Sequence, residues 1–300
     1  MFRHAILAAA LASAAPAAAQ MIETTPRIAI MSAFEPEWTL LQDALTDRAE
    51  VVDKGVRYIT GTLDGEDVVL ALTGISMTNA AMTSQMLIDR FAVSAIVVSG
   101  IAGGVDPALN IGDVSVAAEW APYLNAVFAR EVSPGVYADP PIFKMPFPNY
   151  GMIHPTPVEV RREGAEAPQW KFWFAADPGL LAAAERAAAV PLESCAGDTC
   201  LATAPKVVLG GHAVSGAAFV DNADFREYVF ETFEARVLDM ETAAIAQVAY
   251  ANDVPFIAFR SVSDLAGGED GANELPIFFS LAAANSAAVV RAFIAELSTN

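Results

Sequence analysis

Three hundred residues carry a formal net charge of −19, with 54% hydrophobic and 18% charged side chains. That balance excludes a nucleic-acid or anionic-lipid binder, which needs clustered Lys and Arg. It also excludes a disordered chain, because apolar residues are abundant and the charges are scattered.

Residues 1–20 hold ten alanines behind Arg3 and His4. A basic start, a short apolar core and Ala17-Ala18-Ala19 predict a signal peptide over 1–19. Residues 20–300 are then expected as one exported domain, periplasmic or secreted. The apolar run of the leader is shorter than the roughly 20 residues that span a bilayer. No later stretch is read as a membrane helix, so no membrane partner is expected after leader removal.

A strand is predicted over 27–32, followed by a helix opening at Glu35-Pro36-Glu37-Trp38, where proline suits the first turn. Strands at 57–63 and 67–72 precede a helix over 78–91. A buried strand at 95–99 runs into Gly100-Ile101-Ala102-Gly103-Gly104, and another is expected at 113–117. Residues 120–172 are rich in proline and aromatic residues without a clear period. They read as an irregular insert, and loops of that length are usually functional or mobile. Alternation then resumes: helix 178–189, strand 206–214, helix 224–232, strand 236–239, helix 241–251, strand 255–260 and helix 276–297. This alternation predicts an α/β sheet covered on both faces.

The two cysteines, Cys195 and Cys200, flank Gly197-Asp198. In an exported chain such a pair predicts a small disulfide loop. Two thiols with no histidine nearby fall short of the three or four ligands of a zinc site.

No GxGxxG, Walker A or GxSxG pattern occurs. After the leader only His154 and His212 remain, each isolated in sequence, which disfavours a histidine-dependent hydrolase. Carboxylates are the remaining chemistry. Ligands of open α/β sheets bind beyond the carboxyl ends of strands. Glu35 and Glu37, Asp239 and Glu241, and Asp264 with Arg260 and Ser263 all stand at such ends.

At these residues the chain resembles the purine nucleoside phosphorylase and nucleosidase superfamily. Its methylthioadenosine/S-adenosylhomocysteine nucleosidase branch is the nearest likeness, and plant bark storage-type proteins look similar. The matching segments are IAIMSAFEPEW (28–38), TGISMTNAAMTSQMLIDRF (73–91), VVSGIAGGVDPALNIGDV (97–114), WFAADPGLLAAAE (173–185), GGHAVSGAAFVDN (210–222), VLDMETAAIAQVA (237–249) and VPFIAFRSVSDLA (254–266).

The resemblance implies a three-layer α/β/α fold around a twisted mixed sheet and a homodimer or higher homo-oligomer. It implies cleavage of the N-glycosidic bond of purine nucleosides, with no cofactor. Asp264 would protonate N7 of the base, with Ser263 as its hydrogen-bond partner. Glu37 would activate the attacking water, and Arg260 corresponds to the arginine near the nucleophile. Glu241 would hold ribose hydroxyls, and Met240 would pack under the sugar. Phe219 and Val220 match the positions that stack on and hydrogen-bond to the base. Ser99 and Gly100, at the head of the Gly-rich turn, complete the substrate-binding set.

Phosphorylases of this superfamily carry arginines in the first loop and before the Gly-rich turn. Here those places read Ser32-Ala33-Phe34-Glu35 and Val97-Val98-Ser99, which favours hydrolysis over phosphorolysis. A non-catalytic exported nucleoside-binding or storage protein is the third reading. Ile101 stands where nucleosidases usually have serine, and the 120–172 insert is expected to border the 5′ side of the substrate. Asp at 264 favours 6-aminopurines.

Overall fold

A computed structural model of the chain describes residues 21–143 and 145–298; the expected leader lies outside the described residues. The chain begins with strand β1 (Glu23–Ser32), helix α1 (Glu35–Asp43), the strands β2 (Thr46–Asp53), β3 (Val56–Leu63) and β4 (Glu66–Leu72), and helix α2 (Met77–Arg90). The long strand β5 (Phe91–Gly104) follows, then β6 (Val114–Val116) and β7 (Glu119–Ala121).

The insert is more regular than its sequence suggests. It forms three antiparallel ribbons, pairing β8 (Ala126–Phe128) with β11 (Ile153–Pro155), β9 (Arg130–Ser133) with β10 (Val136–Ala138), and β12 (Val158–Val160) with β13 (Gln169–Lys171). Strands of three or four residues are too short for a period-2 pattern to show.

Strand β14 (Phe174–Ala175) and helix α3 (Pro178–Ala187) lead to a tight ribbon, β15 (Cys195–Ala196) with β16 (Thr199–Cys200). The expected disulfide closes it between Cys195 and Cys200. Strands β17 (Val207–Leu209) and β18 (His212–Ser215), helix α4 (Ala223–Phe233), strand β19 (Ala235–Asp239), helix α5 (Thr242–Ala251), strand β20 (Phe256–Asp264) and helix α6 (Leu275–Leu297) complete the order.

The central sheet is mixed. Its main path runs β14-β7-β18-β19-β5-β1-β4-β3-β2, with β20 joined to β5 and β6, and β6 to β17. Strand β5 lies parallel to β1 and β20 and antiparallel to β19. Side chains of β1 alternate between the two faces, as the period of a strand requires. Ile28 and Ile30 join Trp38, Val290 and Phe293 beneath α1, α3 and α6. Ala29 and Met31 join Leu87 and Ile245 beneath α2 and α5. These are the helical layers of an α/β/α sandwich. A third cluster sets Phe172 of the insert against Val229 and Phe233 of α4.

Four expectations need correction. Strand β2 has no counterpart among the predicted elements because its residues are almost all exposed, as fits an edge strand without an apolar face. The single strand expected over 206–214 is two, because Gly210 and Gly211 take φ of 76° and 71°. That kink sends β17 to β6 and β18 to β7 and β19. The strand expected to end at 260 continues to Asp264, so Ser263 and Asp264 are strand residues. Finally, α6 is long and apolar enough to cross a membrane by length and composition. Here it is a core helix, with Leu281, Val289, Val290, Phe293 and Ile294 buried against the sheet.

Candidate active site

Strands β1, β5, β19 and β20 bring their carboxyl ends to one place, the position where open α/β sheets bind ligands. A cavity of about 270 Å3 opens there, lined by Glu37, Glu241, Arg260, Ser263 and Asp264, with Phe219, Val220 and Met240.

Glu37 sits in the first turn of α1 and is buried. One carboxylate oxygen accepts the backbone N–H groups of Ala33 and Phe34, at 3.1 and 3.2 Å. The other accepts the Ile101 N–H at 3.0 Å and lies 4.0 Å from the Arg260 guanidinium. Burial pushes its pKa above the usual carboxylate range, while Arg260 and the three N–H groups oppose that shift.

Asp264 closes β20. Its Oδ2 lies 2.8 Å from the Ser263 hydroxyl, and its Oδ1 accepts the Ala266 N–H at 2.9 Å. Burial again raises the pKa, and here the nearby charge is the Glu269 carboxylate, which raises it further. The two carboxyl groups therefore share a desolvated environment but face charges of opposite sign. A cation beside Glu37 favours its ionised form, and an anion near Asp264 favours its protonated form.

Glu241 caps α5. It accepts the Ser76 N–H at 2.8 Å and faces Arg260 at 3.5 Å. Burial raises its pKa, with Asp239 and Glu37 adding to the rise and Arg260 opposing it. Ser76 holds its N–H toward Glu241 with φ of 92°, a conformation that non-glycine residues adopt only at a cost of about 1–3 kcal/mol.

Arg260 is enclosed. Its Nε lies 2.7 Å from Asp239 and 2.9 Å from the Thr242 hydroxyl. With Glu241 and Glu37 also beside it, one guanidinium faces three carboxylates. Replacing Arg260 by Met would leave those carboxylates buried without a counter-charge. The expected loss is about 3 kcal/mol of unfolding free energy, read as a lower urea midpoint. An unchanged midpoint would contradict the network.

Ser99 and Gly100 are not cavity residues, contrary to the substrate-binding role expected of them. The Ser99 hydroxyl lies 3.1 Å from the Ser286 hydroxyl, and the Ser286 hydroxyl accepts the Gly100 N–H at 2.9 Å. Gly100 is required for another reason. A Cβ there would stand 2.1 Å from Arg260 Nη1 and 2.7 Å from Glu37 Oε1, so any side chain would force the pair away. The insert also departs from expectation, since no described residue of 120–172 lines the cavity.

Asp239, a strand-end acid in the sequence, is a structural anchor of the site. It accepts the N–H groups of Glu241 and Thr242 and the hydroxyls of Ser215 and Thr242, fixing the start of α5. An acid three residues before a helical threonine is the available signal, since such residues tie down exposed N–H groups. Phe34 and Phe279, rings 5.3 Å apart and edge-on, form an apolar wall with Ile75 and Leu275. These residues carry no pattern that separates them from core positions.

A family model described as the phosphorylase superfamily matches residues 27–295. The chain belongs to the phosphorylase superfamily. Within that superfamily it is 30% identical over 272 residues to a 5′-methylthioadenosine/S-adenosylhomocysteine nucleosidase of Anoxybacillus flavithermus, covering 90% of this chain and 99% of that one. The nucleosidase structure from Neisseria meningitidis in complex with methylthio-immucillin-A superposes with a TM-score of 0.65 at 29% identity, covering 90% and 98% of the two chains. The Colwellia psychrerythraea enzyme in complex with adenine gives a TM-score of 0.67 at 27% identity, covering 92% and 97%. This phosphorylase-superfamily chain thus shares the nucleosidases' mixed-sheet α/β architecture along nearly its whole length.

Proposed function

We infer that the protein hydrolyses the N-glycosidic bond of adenosine-type nucleosides, methylthioadenosine and adenosylhomocysteine among them, and releases adenine. The observation that carries water rather than phosphate as nucleophile is the state of Arg260. It is the one cation among the described residues lining the cavity, and Asp239, Glu241 and Glu37 already surround it. A phosphate ion would meet three carboxylates and no uncommitted cation, whereas phosphate recognition depends on cationic donors.

In this reading Glu37 takes a proton from water as its oxygen attacks C1′, and the C1′–N9 bond breaks. Its electron pair passes into the purine as Asp264 delivers a proton to N7. An acid and a base on opposite faces of an oxocarbenium-like sugar follow the inverting route of glycoside hydrolysis. Glu241 accepts hydrogen bonds from the ribose hydroxyls, Met240 packs under the sugar, and Phe219 and Val220 bound the base. The leader-like residues 1–19 and the Cys195–Cys200 disulfide support export to an oxidising compartment. A homodimer is carried by the resemblance alone.

Incubating the protein with methylthioadenosine and resolving the products by chromatography tests the enzymatic reading. Adenine and free methylthioribose are expected in equal amounts. Tight nucleoside binding with neither product formed would make the protein a nucleoside-binding one instead.

A further inference from the structure

The segment after the acid, residues 265–274, is latched to the wall that faces the base. Ala266 donates its N–H to Asp264 Oδ1, and its carbonyl accepts the Asn222 N–H at 3.0 Å. Gly267 follows at φ of 90°, where a Cβ would stand 2.3 Å from the Asn222 nitrogen. At the far end of this segment Asn273 uses its whole side chain. Its Nδ2 lies 3.1 Å from Asp221 Oδ1 and 3.4 Å from Asp264 Oδ1, and its Oδ1 accepts the Leu275 N–H at 2.9 Å. Asp221 directly follows the cavity residues Phe219 and Val220, and Leu275 is itself a cavity residue.

The two oxygens of Asp264 are therefore unlike. Oδ1 faces two N–H donors, the Ala266 backbone and the Asn273 amide, which can only donate to it. Oδ2 faces the Ser263 hydroxyl, which also lies 3.3 Å from the Ala102 carbonyl. Ser263 can thus donate to Ala102 and accept a hydrogen bond from a protonated Oδ2. A proton on Oδ1 would displace at least one donor, and one on Oδ2 displaces none.

We propose that Asn273 is a positioning residue for the acid, holding Oδ1 of Asp264 as an acceptor so that the transferable proton stays on Oδ2. The proposal rests on the reading of Asp264 as the acid. Glu269, from its own segment, is the charge that acts on Asp264; Asp221, before α4, connects to it through the Asn273 amide, and Arg226 of α4 packs its guanidinium on Gly268 and donates to the Gly104 carbonyl. Glu37, Glu241 and Arg260 stand on the walls of the same cavity. The Asn273 amide lowers the acid's pKa against the rise that burial causes.

The test is the pH profile of kcat for methylthioadenosine in Asn273→Ala and in the isosteric Asn273→Asp. The alkaline limb, where the acid loses its proton, is expected to move up by about one pH unit in the Ala variant. It should move further in the Asp variant, where a second carboxylate replaces a donor. At neutral pH kcat is expected to fall about tenfold from misaimed proton transfer. Cleavage of p-nitrophenyl riboside, whose leaving group departs without protonation, should stay within about twofold of wild type and so reports an intact site. A wild-type limb in both variants would overturn the proposal, and so would a parallel fall on both substrates, which assigns Asn273 a structural role only. Asp264→Asn separates the two claims. If it leaves adenine release intact, the acid assignment fails; if it stops release while both Asn273 variants keep the wild-type limb, only the Asn273 proposal fails.

Discussion

Asp264→Asn is expected to lower kcat for methylthioadenosine by about a thousandfold, within the range that general acids contribute. Asn reproduces the hydrogen-bond pattern of the protonated acid. Its carbonyl can accept from Ala266 and Asn273, and its amide can face Ser263 and the purine nitrogen. It cannot give up a proton. Nucleoside affinity should therefore stay within about tenfold of wild type, as expected where the lost interaction belongs to the transition state. Stability should move the other way. Burial raises the folded-state pKa of Asp264 above its ordinary value. As pH rises through the interval between the two values, the unfolded chain ionises first and wild type loses stability. The Asn variant lacks that loss, so its advantage over wild type should grow through the same interval and then level off. A variant that turns over at wild-type rate would remove Asp264 from the acid role.

Glu37→Gln is expected to cost about as much in kcat, roughly a thousandfold, through loss of the base that activates water. Its signature differs from that of Asp264→Asn in two respects. Both carboxylate oxygens of Glu37 face N–H donors, Ala33 and Phe34 on one side and Ile101 on the other. Either placement of the Gln amide therefore sets N–H against N–H, costing about 1–3 kcal/mol of stability. The second difference lies in the substrate. Cleavage of p-nitrophenyl riboside still requires an activated water, so Glu37→Gln should lose it while Asp264→Asn retains it. Equal losses on both substrates in both variants would mean that acid and base are not separate groups.

The site was legible where chemistry fixes residue type and where the chain fixes position. Glu37 stands in the first turn of the helix after β1, Glu241 follows β19, and Arg260, Ser263 and Asp264 run from the middle to the end of β20, so the order of strands delivers them to one cavity. Gly100 reads in sequence as a substrate-binding residue, and its structural role is different. Its role appears only once Arg260 and Glu37 are seen to close over it from elements far apart in sequence. Asp239 and Asn273 act through other side chains, and nothing in their local sequence separates that from ordinary capping. Of the fold, the buried strands were plain because continuous apolar runs mark them. The exposed edge strand β2 and the three-residue ribbons of the insert carry no such run. The kink at Gly210-Gly211 shows why a single apolar stretch need not be one strand.

In this reading water, not phosphate, attacks C1′. The most direct measurement is the rate of adenine release from methylthioadenosine in phosphate-free buffer and at increasing phosphate. With Arg260 committed to Asp239, Glu241 and Glu37, the rate should be full without phosphate and the sugar product should be free methylthioribose. Strict dependence on phosphate, with a sugar 1-phosphate as product, would contradict it.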